Sequence, residues 1–159
     1  MKKKILLYLS YIIILIFLDQ LTKNWLILYL PKQPDNSIVI TSFFKFIYTW
    51  NYGISFGMFS QYLEYSNYIL LVLNSLIIMY LMYILLNTSR PLSIISFNLI
   101  IGGAIGNLVD RVLHGAVFDF IYFHYQNYSF PAFNLADSFI TIGAILFCYD
   151  YFIGTRTLR

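Results

Sequence analysis

The chain has 159 residues, of which 60% are hydrophobic and 11% are charged, and its formal net charge is +3. Soluble domains carry about 25% charged residues, so this composition excludes an ordinary soluble domain and indicates a protein of the lipid bilayer. The few basic residues form no stripe along the sequence, which argues against a nucleic-acid partner. The length corresponds to a single domain.

Four apolar runs are each long enough to cross a bilayer core, which takes about 20 residues of helix. Helices are expected because backbone polar groups in lipid must bond within their own segment. The predicted spans cover approximately residues 5–29, 67–86, 92–113 and 134–152. No small-residue cleavage site follows the first span, so we predict a retained helix there and not a removable signal peptide.

Basic residues predict how the spans are oriented. They flank the apolar runs at Lys2, Lys3, Lys4, Arg90, Arg156 and Arg159. Because such residues mark cytoplasmic ends, both termini are predicted to be cytosolic. The segments of about residues 31–65 and 114–133 are then predicted to lie outside the cytoplasm. The first contains two candidate strands, Ser37–Thr41 and residues 46–50, both rich in β-branched and aromatic residues.

Acidic residues are concentrated where they are costly. Of the seven in the chain, four lie within or at the ends of the predicted spans, namely Asp19, Asp110, Asp119 and Asp137. A charge in hydrocarbon needs a partner or a position inside the bundle. Asp19 lies 15 residues after Lys4, or about 22 Å along a helix, and Asn107 reaches a similar depth in the third span. The polar residues are therefore predicted to meet in the outer third of the bilayer core.

Local spacing suggests structural roles for several of these residues. Asp19 and Lys23 are four residues apart and can form an ion pair on one helix face. Asp110 beside Arg111 can anchor the end of the third span. Asn134 can cap the start of the fourth.

Asp119 and Asp137 differ, because neither has a basic residue nearby in the sequence. Acids of this kind need a proton, a metal ion or a catalytic role. His114 and His124 are ten residues apart, which matches no zinc-binding pattern. Cys148 lies inside an apolar run, where a packing role is expected.

Five short motifs follow one another along the chain. Residues 19–23 are DQLTK, residues 51–56 NYGISF, residues 102–111 GGAIGNLVDR, residues 115–121 GAVFDFI and residues 133–138 FNLADS. Together they resemble the conserved boxes of the lipoprotein signal peptidases, also called signal peptidase II, in the order that this family has them. Ser55 departs from the alanine usual in the second box, which leaves the packing of that loop open.

The resemblance implies a fold and a site. The implied fold is an all-α integral membrane protein with four transmembrane helices, a small extracytoplasmic β-sheet and a short interfacial helix. The implied catalytic pair is Asp119 and Asp137. The residues that would line or support the substrate site are Asn51, Asn107, Arg111, Asn134, Asp19, Lys23 and Asp110.

The resemblance also implies an activity and a location. The substrate would be a prolipoprotein whose cysteine carries a diacylglyceryl group, cut immediately before that cysteine. Aspartic peptidase chemistry of this kind uses neither a metal nor another cofactor. The expected partners are these substrates, membrane lipids and inhibitors of the globomycin type. The expected location is the bacterial cytoplasmic membrane, with the active site toward its extracytoplasmic face.

Other functional classes can also explain intramembrane acids. A metal-dependent lipid transferase would use Asp110, Asp119 and Asp137 to bind Mg²⁺, although such sites usually place several acids in one tight repeat. A small proton-coupled transporter would use the acids as a relay, but the inner halves of the spans offer little polar lining. A non-enzymatic scaffold would not need carboxylates at one depth on separate helices.

Overall fold

Four long helices form most of the molecule. The computed structural model describes residues 2–53 and 63–156, and Ser55 lies outside them. The helices are α1 (Lys2–Tyr29), α2 (Leu63–Asn87), α3 (Pro91–His114) and α4 (Leu135–Arg156). Each overlaps a predicted span and contains a stretch long and apolar enough to cross a membrane. These features fit a multi-pass membrane protein.

The outward faces of the helices are apolar. Leu6, Tyr80 and Val112 each expose 65% or more of their surface. Water would penalise so extensive an apolar surface, whereas lipid tails do not. The hydrocarbon of the membrane is therefore the natural surrounding of these faces.

α3 is the central helix and packs against the other three. Its glycines permit the close approach. An added β-carbon on Gly103 would lie 2.4 Å from the carbonyl oxygen of Ala136 in α4. One on Gly106 would lie 2.6 Å from a carboxylate oxygen of Asp19 in α1. In lipid, where no hydrophobic effect draws helices together, close backbone packing of this kind supplies much of the attraction.

The start of α3 and the last turns of α4 are joined by polar contacts. Arg90 forms an ion pair with Asp150 at 3.2 Å and also donates to its backbone carbonyl at 2.8 Å. The Ser93 hydroxyl donates to the same carboxylate. Asp150, for which the sequence suggested no role, therefore fastens the end of α4 to the start of α3.

A four-stranded antiparallel sheet lies beyond the helix ends, in the order β1-β2-β3-β4. Its strands are β1 (Ser37–Thr41), β2 (Phe44–Asn51), β3 (Val117–Tyr125) and β4 (Tyr128–Ser129), and two 3₁₀ turns, Leu30–Lys32 and Pro34–Asn36, link α1 to β1. Both predicted strands are present, the second within the longer β2. The sequence analysis identified no strand in β3. Its first four residues are all buried, so they lack the alternation of apolar and polar residues that marks a half-exposed strand.

The sheet is fixed to the helices by an aromatic cluster. Leu26 at the end of α1 and Leu30 in the following 3₁₀ turn pack with Phe118 and Phe120 of β3. Trp50 lies against Phe118, with ring centroids 5.2 Å apart. The cluster holds the first half of β3 directly above the helix ends.

Gly115 makes the turn from α3 into β3. It adopts the left-handed conformation at φ +74°, and its N–H donates to the carbonyl of Arg111. Glycine adopts this conformation without the steric cost of a β-carbon. The turn places Asp119 in β3 opposite Thr49 of β2.

Gly103→Ala should destabilise the helix bundle, because its methyl group meets the backbone of α4 and not a flexible side chain. Overpacking of this kind typically costs about 1–3 kcal/mol. The midpoint of thermal unfolding in detergent measures the effect. Val112→Ala, a lipid-facing change on the same helix, is the control, and equal midpoints for the two variants would contradict the prediction.

Candidate active site

Lys23, Asp19 and Asp110 form a buried charge cluster between α1 and α3. The Lys23 ammonium contacts the carboxylates of Asp19 and Asp110, each at 2.9 Å, and all three side chains are at most 4% exposed. The pairing of Asp19 with Lys23 predicted from their spacing is confirmed. One cation thus joins α1 to α3 and balances part of the charge of two acids.

Asp110 anchors the end of α3, as expected, but its observed partners are Lys23, Gln20 and Phe118 and not Arg111. Consecutive helix residues point about 100° apart, and the Asp110 carboxylate points toward α1. There it meets Lys23 and accepts a bond from the Gln20 amide at 2.8 Å. It also accepts the backbone N–H of Phe118 at 3.1 Å, which fixes the first residues of β3.

Gln20 has a role that the sequence analysis missed. Besides Asp110, its amide bonds to the carbonyl of Gly106 at 3.1 Å and to Asp19 at 3.2 Å. Its position in the DQLTK motif was the available signal. Asp19 in turn accepts the backbone N–H of Ala136 at 2.9 Å, so the charge cluster also orients the start of α4.

Two asparagines connect the charge cluster to the two remaining acids. The Asn107 carbonyl oxygen accepts from Lys23 at 3.0 Å, and its amide donates to Asp137 at 2.7 Å. The Asn134 amide donates to Asn107 at 3.1 Å and to Asp119 at 2.7 Å. One side chain, Asn107, therefore lies between Lys23 and Asp137, and two, Asn107 and Asn134, lie between Lys23 and Asp119.

Asn134 also caps α4, as its position predicted. Its side-chain oxygen accepts the N–H of Asp137 at 2.9 Å, and the Asp137 carboxylate accepts the N–H of Asn134 at 3.2 Å. This reciprocal arrangement is a capping box. Because Asn134 bonds to both Asp119 and Asp137, it brings the two carboxyl groups of β3 and α4 to the same place.

Asp119 is 2% exposed. Its second oxygen accepts from the Asn51 amide, at the end of β2, at 3.0 Å. Burial raises the pKa of Asp119 from 3.8 to about 6, and the charge of Asp137 adds to this effect, while the bonds from Asn51 and Asn134 oppose it. A carboxyl group with such a pKa can both hold and release a proton near neutral pH.

Asp137 reaches an apolar crevice. The crevice has a volume of about 440 Å³ and is lined by Phe130, Phe133, Ser138, Thr141, Ile142 and Asp137 itself. Asp119 lies deeper, so a molecule in the crevice meets Asp137 first. The arrangement offers two acids, one of them with a raised pKa, beside a surface suited to an apolar ligand.

Eight of the nine predicted site residues belong to one network of side-chain hydrogen bonds and ion pairs. They are Asp19, Lys23, Asn51, Asn107, Asp110, Asp119, Asn134 and Asp137. The ninth, Arg111, is 8% exposed. It forms no ion pair with an acid of the described residues, although its charge interacts most strongly with Asp119.

The remaining candidates lie apart from the network. His114 packs against Trp50, and His124 against Tyr122. Cys148 is exposed on α4. Within residues 2–53 and 63–156, no three His, Cys, Asp or Glu side chains are arranged to ligate a metal ion. Both oxygens of Asp110 are occupied by Gln20, Lys23 and Phe118, so Asp110 is directed away from Asp119.

The family model described as Signal peptidase (SPase) II matches residues 11–153. The chain belongs to the signal peptidase II family. Lipoprotein signal peptidases of Rickettsia africae (strain ESF-5) and Rickettsia felis (strain ATCC VR-1525 / URRWXCal2) are 51% and 53% identical to it. Each alignment covers 93% of this chain, and 74% and 75% of the two relatives.

Solved structures show the same fold. A bacterial membrane enzyme determined by the in meso method at 2.3 Å resolution superposes with a TM-score of 0.79 and 28% identity, over 96% of this chain and 91% of that one. A second, determined in the same way at 1.9 Å resolution, superposes with a TM-score of 0.77 and 28% identity, over 91% of each chain. The chain is therefore a multi-pass membrane protein of a bacterial signal peptidase family, and the transferase and transporter alternatives find no support.

Lys23→Met should destabilise this peptidase strongly, because it leaves two buried carboxylates without their cation. Breaking a buried ion pair typically costs about 3–5 kcal/mol. Adding Asp19→Asn should restore part of the loss, since one of the two stranded charges disappears. Thermal unfolding in detergent, with Lys32→Met on the exposed 3₁₀ turn as control, measures both effects. Equal midpoints for Lys23→Met and Lys32→Met would contradict the prediction.

The pKa of Asp119 predicts a pH dependence of stability. The folded protein binds the Asp119 proton more tightly than the unfolded chain does, with a pKa of about 6 against 3.8. Stability from this group is therefore present at low pH and is lost as the pH rises from about 4 to about 6. Asp119→Asn removes the effect. The unfolding midpoint of the wild type minus that of the variant should be lower at pH 7 than at pH 4.5, by roughly 4–8 °C. A difference between the two midpoints that does not change with pH would contradict the prediction.

Proposed function

We propose that this protein is an intramembrane aspartic endopeptidase that removes the signal peptide of diacylglyceryl-modified prolipoproteins, cutting before the lipidated cysteine. One observation carries the proposal, namely that Asn134 bonds to both Asp119 and Asp137. The relatives named lipoprotein signal peptidase support the substrate class. The whole chain then acts as one membrane-embedded peptidase domain.

Asp119 and Asp137 form the proposed catalytic pair. Two carboxyl groups in a poorly solvated site do not both ionise readily, so the pair shares one proton and titrates as a unit. The ionised member takes a proton from water, and the water oxygen attacks the scissile carbonyl carbon. The protonated member hydrogen-bonds the carbonyl oxygen, and a proton then passes to the leaving amine. Neither a metal nor a covalent intermediate is required.

Asn107 and Asn134 hold the pair in position for this reaction. The side-chain amide of Asn107 donates to Asp137, and that of Asn134 donates to Asp119. The two asparagines are hydrogen-bonded to each other, and Asn107 is also bonded to Lys23. Preorganised groups of this kind do not have to reorient during the reaction, which lowers its barrier. In the proposal, Asp19, Lys23 and Asp110 support the site without touching the substrate.

The crevice beside Asp137 suits an apolar substrate segment. Its lining by Phe130, Phe133, Thr141 and Ile142 is in keeping with a signal peptide or lipid chain arriving from the membrane. Asn51 and Arg111 are proposed to bind the peptide. Inhibitors of the globomycin type would compete for the same space.

The orientation follows from the basic residues. Both termini and the Arg90 loop are proposed to face the cytosol, so the sheet and the catalytic pair face the extracytoplasmic side of the membrane. There the lipid tails of the modified cysteine would bring the scissile bond to the pair without drawing it into water. The proposed fold class is that of an all-α membrane protein with a small extracytoplasmic sheet. A short interfacial helix is proposed to lie on the outer leaflet beside this sheet.

Asp119→Asn and Asp137→Asn should each abolish processing, because neither variant can form the singly protonated pair. Removal of a general acid or base typically costs at least about 100-fold in rate. The assay is cleavage of a diacylglyceryl-modified precursor by the purified protein, with thermal unfolding to verify that each variant is folded. Asp35→Asn, on the 3₁₀ turn after α1, is the matched control and should retain activity.

Two further arms of the same assay separate the alternatives. Activity that survives EDTA and stops with globomycin agrees with an aspartic site. Full cleavage of the lipidated precursor by either folded variant would refute the catalytic pair, and loss of wild-type activity in EDTA would point to metal chemistry.

A further inference from the structure

We infer that Asn67 of α2 is a substrate-binding residue, which acts together with Arg111 to bind one backbone peptide unit of the substrate. The inference deepens the proposed function and rests on it for the identity of the substrate. Asn67 belongs to none of the five motifs, and no sequence pattern points to it.

The first observation concerns the donors of Arg111. Its side chain is 8% exposed, yet Nε and Nη1 have no hydrogen-bond partner among the described residues. A buried guanidinium usually has its five N–H groups bonded, since leaving charged donors unpaired is costly. The structure pairs the acids of the site with Lys23 and with asparagines, so the donors of Arg111 stay available for another molecule.

The second observation concerns the acceptor of Asn67. Its side-chain oxygen is buried and likewise lacks a partner within the described part of the chain. The orientation of the amide is fixed, because its nitrogen donates to the Arg111 carbonyl at 3.3 Å. Turning the amide over would bring two oxygens together. Asn67 therefore presents a free acceptor beside a residue that presents free donors.

Arg111 lies against Gly53, and Asn67 lies one helical turn from Leu70, which also lies against Gly53. A β-carbon on Gly53 would lie 2.4 Å from Leu70, and 3.1 Å and 3.3 Å from the guanidinium nitrogens of Arg111. Leu70 lies one turn after Asn67 on the same face of α2. Gly53 itself is exposed, as is Asn51, which accepts its N–H at 2.8 Å and donates to Asp119. Gly53 thus packs closely against Leu70 of α2 and against Arg111, and it lies two residues after Asn51, which contacts Asp119 of the catalytic pair.

The chemistry of these groups selects the ligand. A phosphate or carboxylate would satisfy Arg111 but would bring its oxygens against the Asn67 oxygen. A peptide unit offers a carbonyl for the guanidinium and an N–H for Asn67. An extended peptide at the membrane surface needs such partners, because little water is present to supply them. Asn67 and Arg111 therefore suit the main chain of a bound peptide, whatever its side chains are.

The test replaces single backbone N–H groups of a diacylglyceryl-modified peptide by ester oxygens, one position at a time and never at the scissile bond. Affinity is measured in the Asp137→Asn background, where binding does not depend on turnover. With Asn67 present, one ester position should weaken binding about fivefold, the usual effect of one lost hydrogen bond. In Asn67→Leu, the amide and ester peptides should bind equally at that position.

A second comparison guards against a merely structural role. Asn87→Leu, on the same helix, removes an amide that donates to the carbonyl of Tyr83 on its own helix, at 2.7 Å, and should leave the ester penalty intact. Asn67→Ala repeats the test if Asn67→Leu does not fold. An ester penalty that persists unchanged without Asn67, or that occurs at no position, would overturn the inference. Failure of the wild-type protein to cleave the amide peptide would instead count against the proposed function alone.

Discussion

The contact of Lys23 with Asp19 and Asp110 is the interaction on which the site depends. In hydrocarbon, three charges can stay buried only if they neutralise one another and if their remaining hydrogen-bonding capacity is met. Each carboxylate also accepts a backbone N–H of another element, Asp19 at the start of α4 and Asp110 at the start of β3. The same two side chains thus neutralise Lys23 and fix the geometry of the chain.

The two candidate catalytic acids, Asp119 and Asp137, differ from Asp19 and Asp110 in how they are connected to Lys23. Lys23 bonds directly to Asp19 and Asp110, but reaches Asp119 and Asp137 only through asparagines. An asparagine fixes the position of the carboxyl group to which it donates, but it carries no charge. The two candidate acids are therefore held firmly while at least one of them, Asp119, keeps a raised pKa. A lysine in direct contact would favour the ionised form of such an acid more strongly.

Much of the fold was predictable from the sequence. The length of the apolar runs gave the four helices, and helical spacing gave the pair of Asp19 with Lys23 and the cap at Asn134. Strand β3 was not predictable by periodicity, because burial on both faces removes the alternation on which that prediction depends. The anchoring role of Asp110 at the end of α3 was predictable, but its partners on α1 and β3 were not, because adjacency in sequence says little about direction on a helix.

The parts of the site that required coordinates are long-range. Gln20 and Asn67 act on α3, 90 and 44 residues away in the chain, and no local pattern encodes such distances. The shared attachment of Asp119 and Asp137 to Asn134 is of the same kind, since only the turn at Gly115 brings β3 back to α4. Sequence motifs marked these residues as candidates, and the tertiary structure decides which of them meet.

The capping box of α4 links enzyme integrity to the state of the bilayer. Asn134 and Asp137 form the first hydrogen bonds of a membrane-spanning helix, and both lie beside Asp119. A membrane that is thinner or thicker than the apolar length of such a helix makes it tilt or kink, at a modest cost in free energy. Because both carboxyl groups are bonded to the first turn of α4, a distortion of that turn separates them while the bundle stays assembled, so lipid composition could lower activity without unfolding the protein.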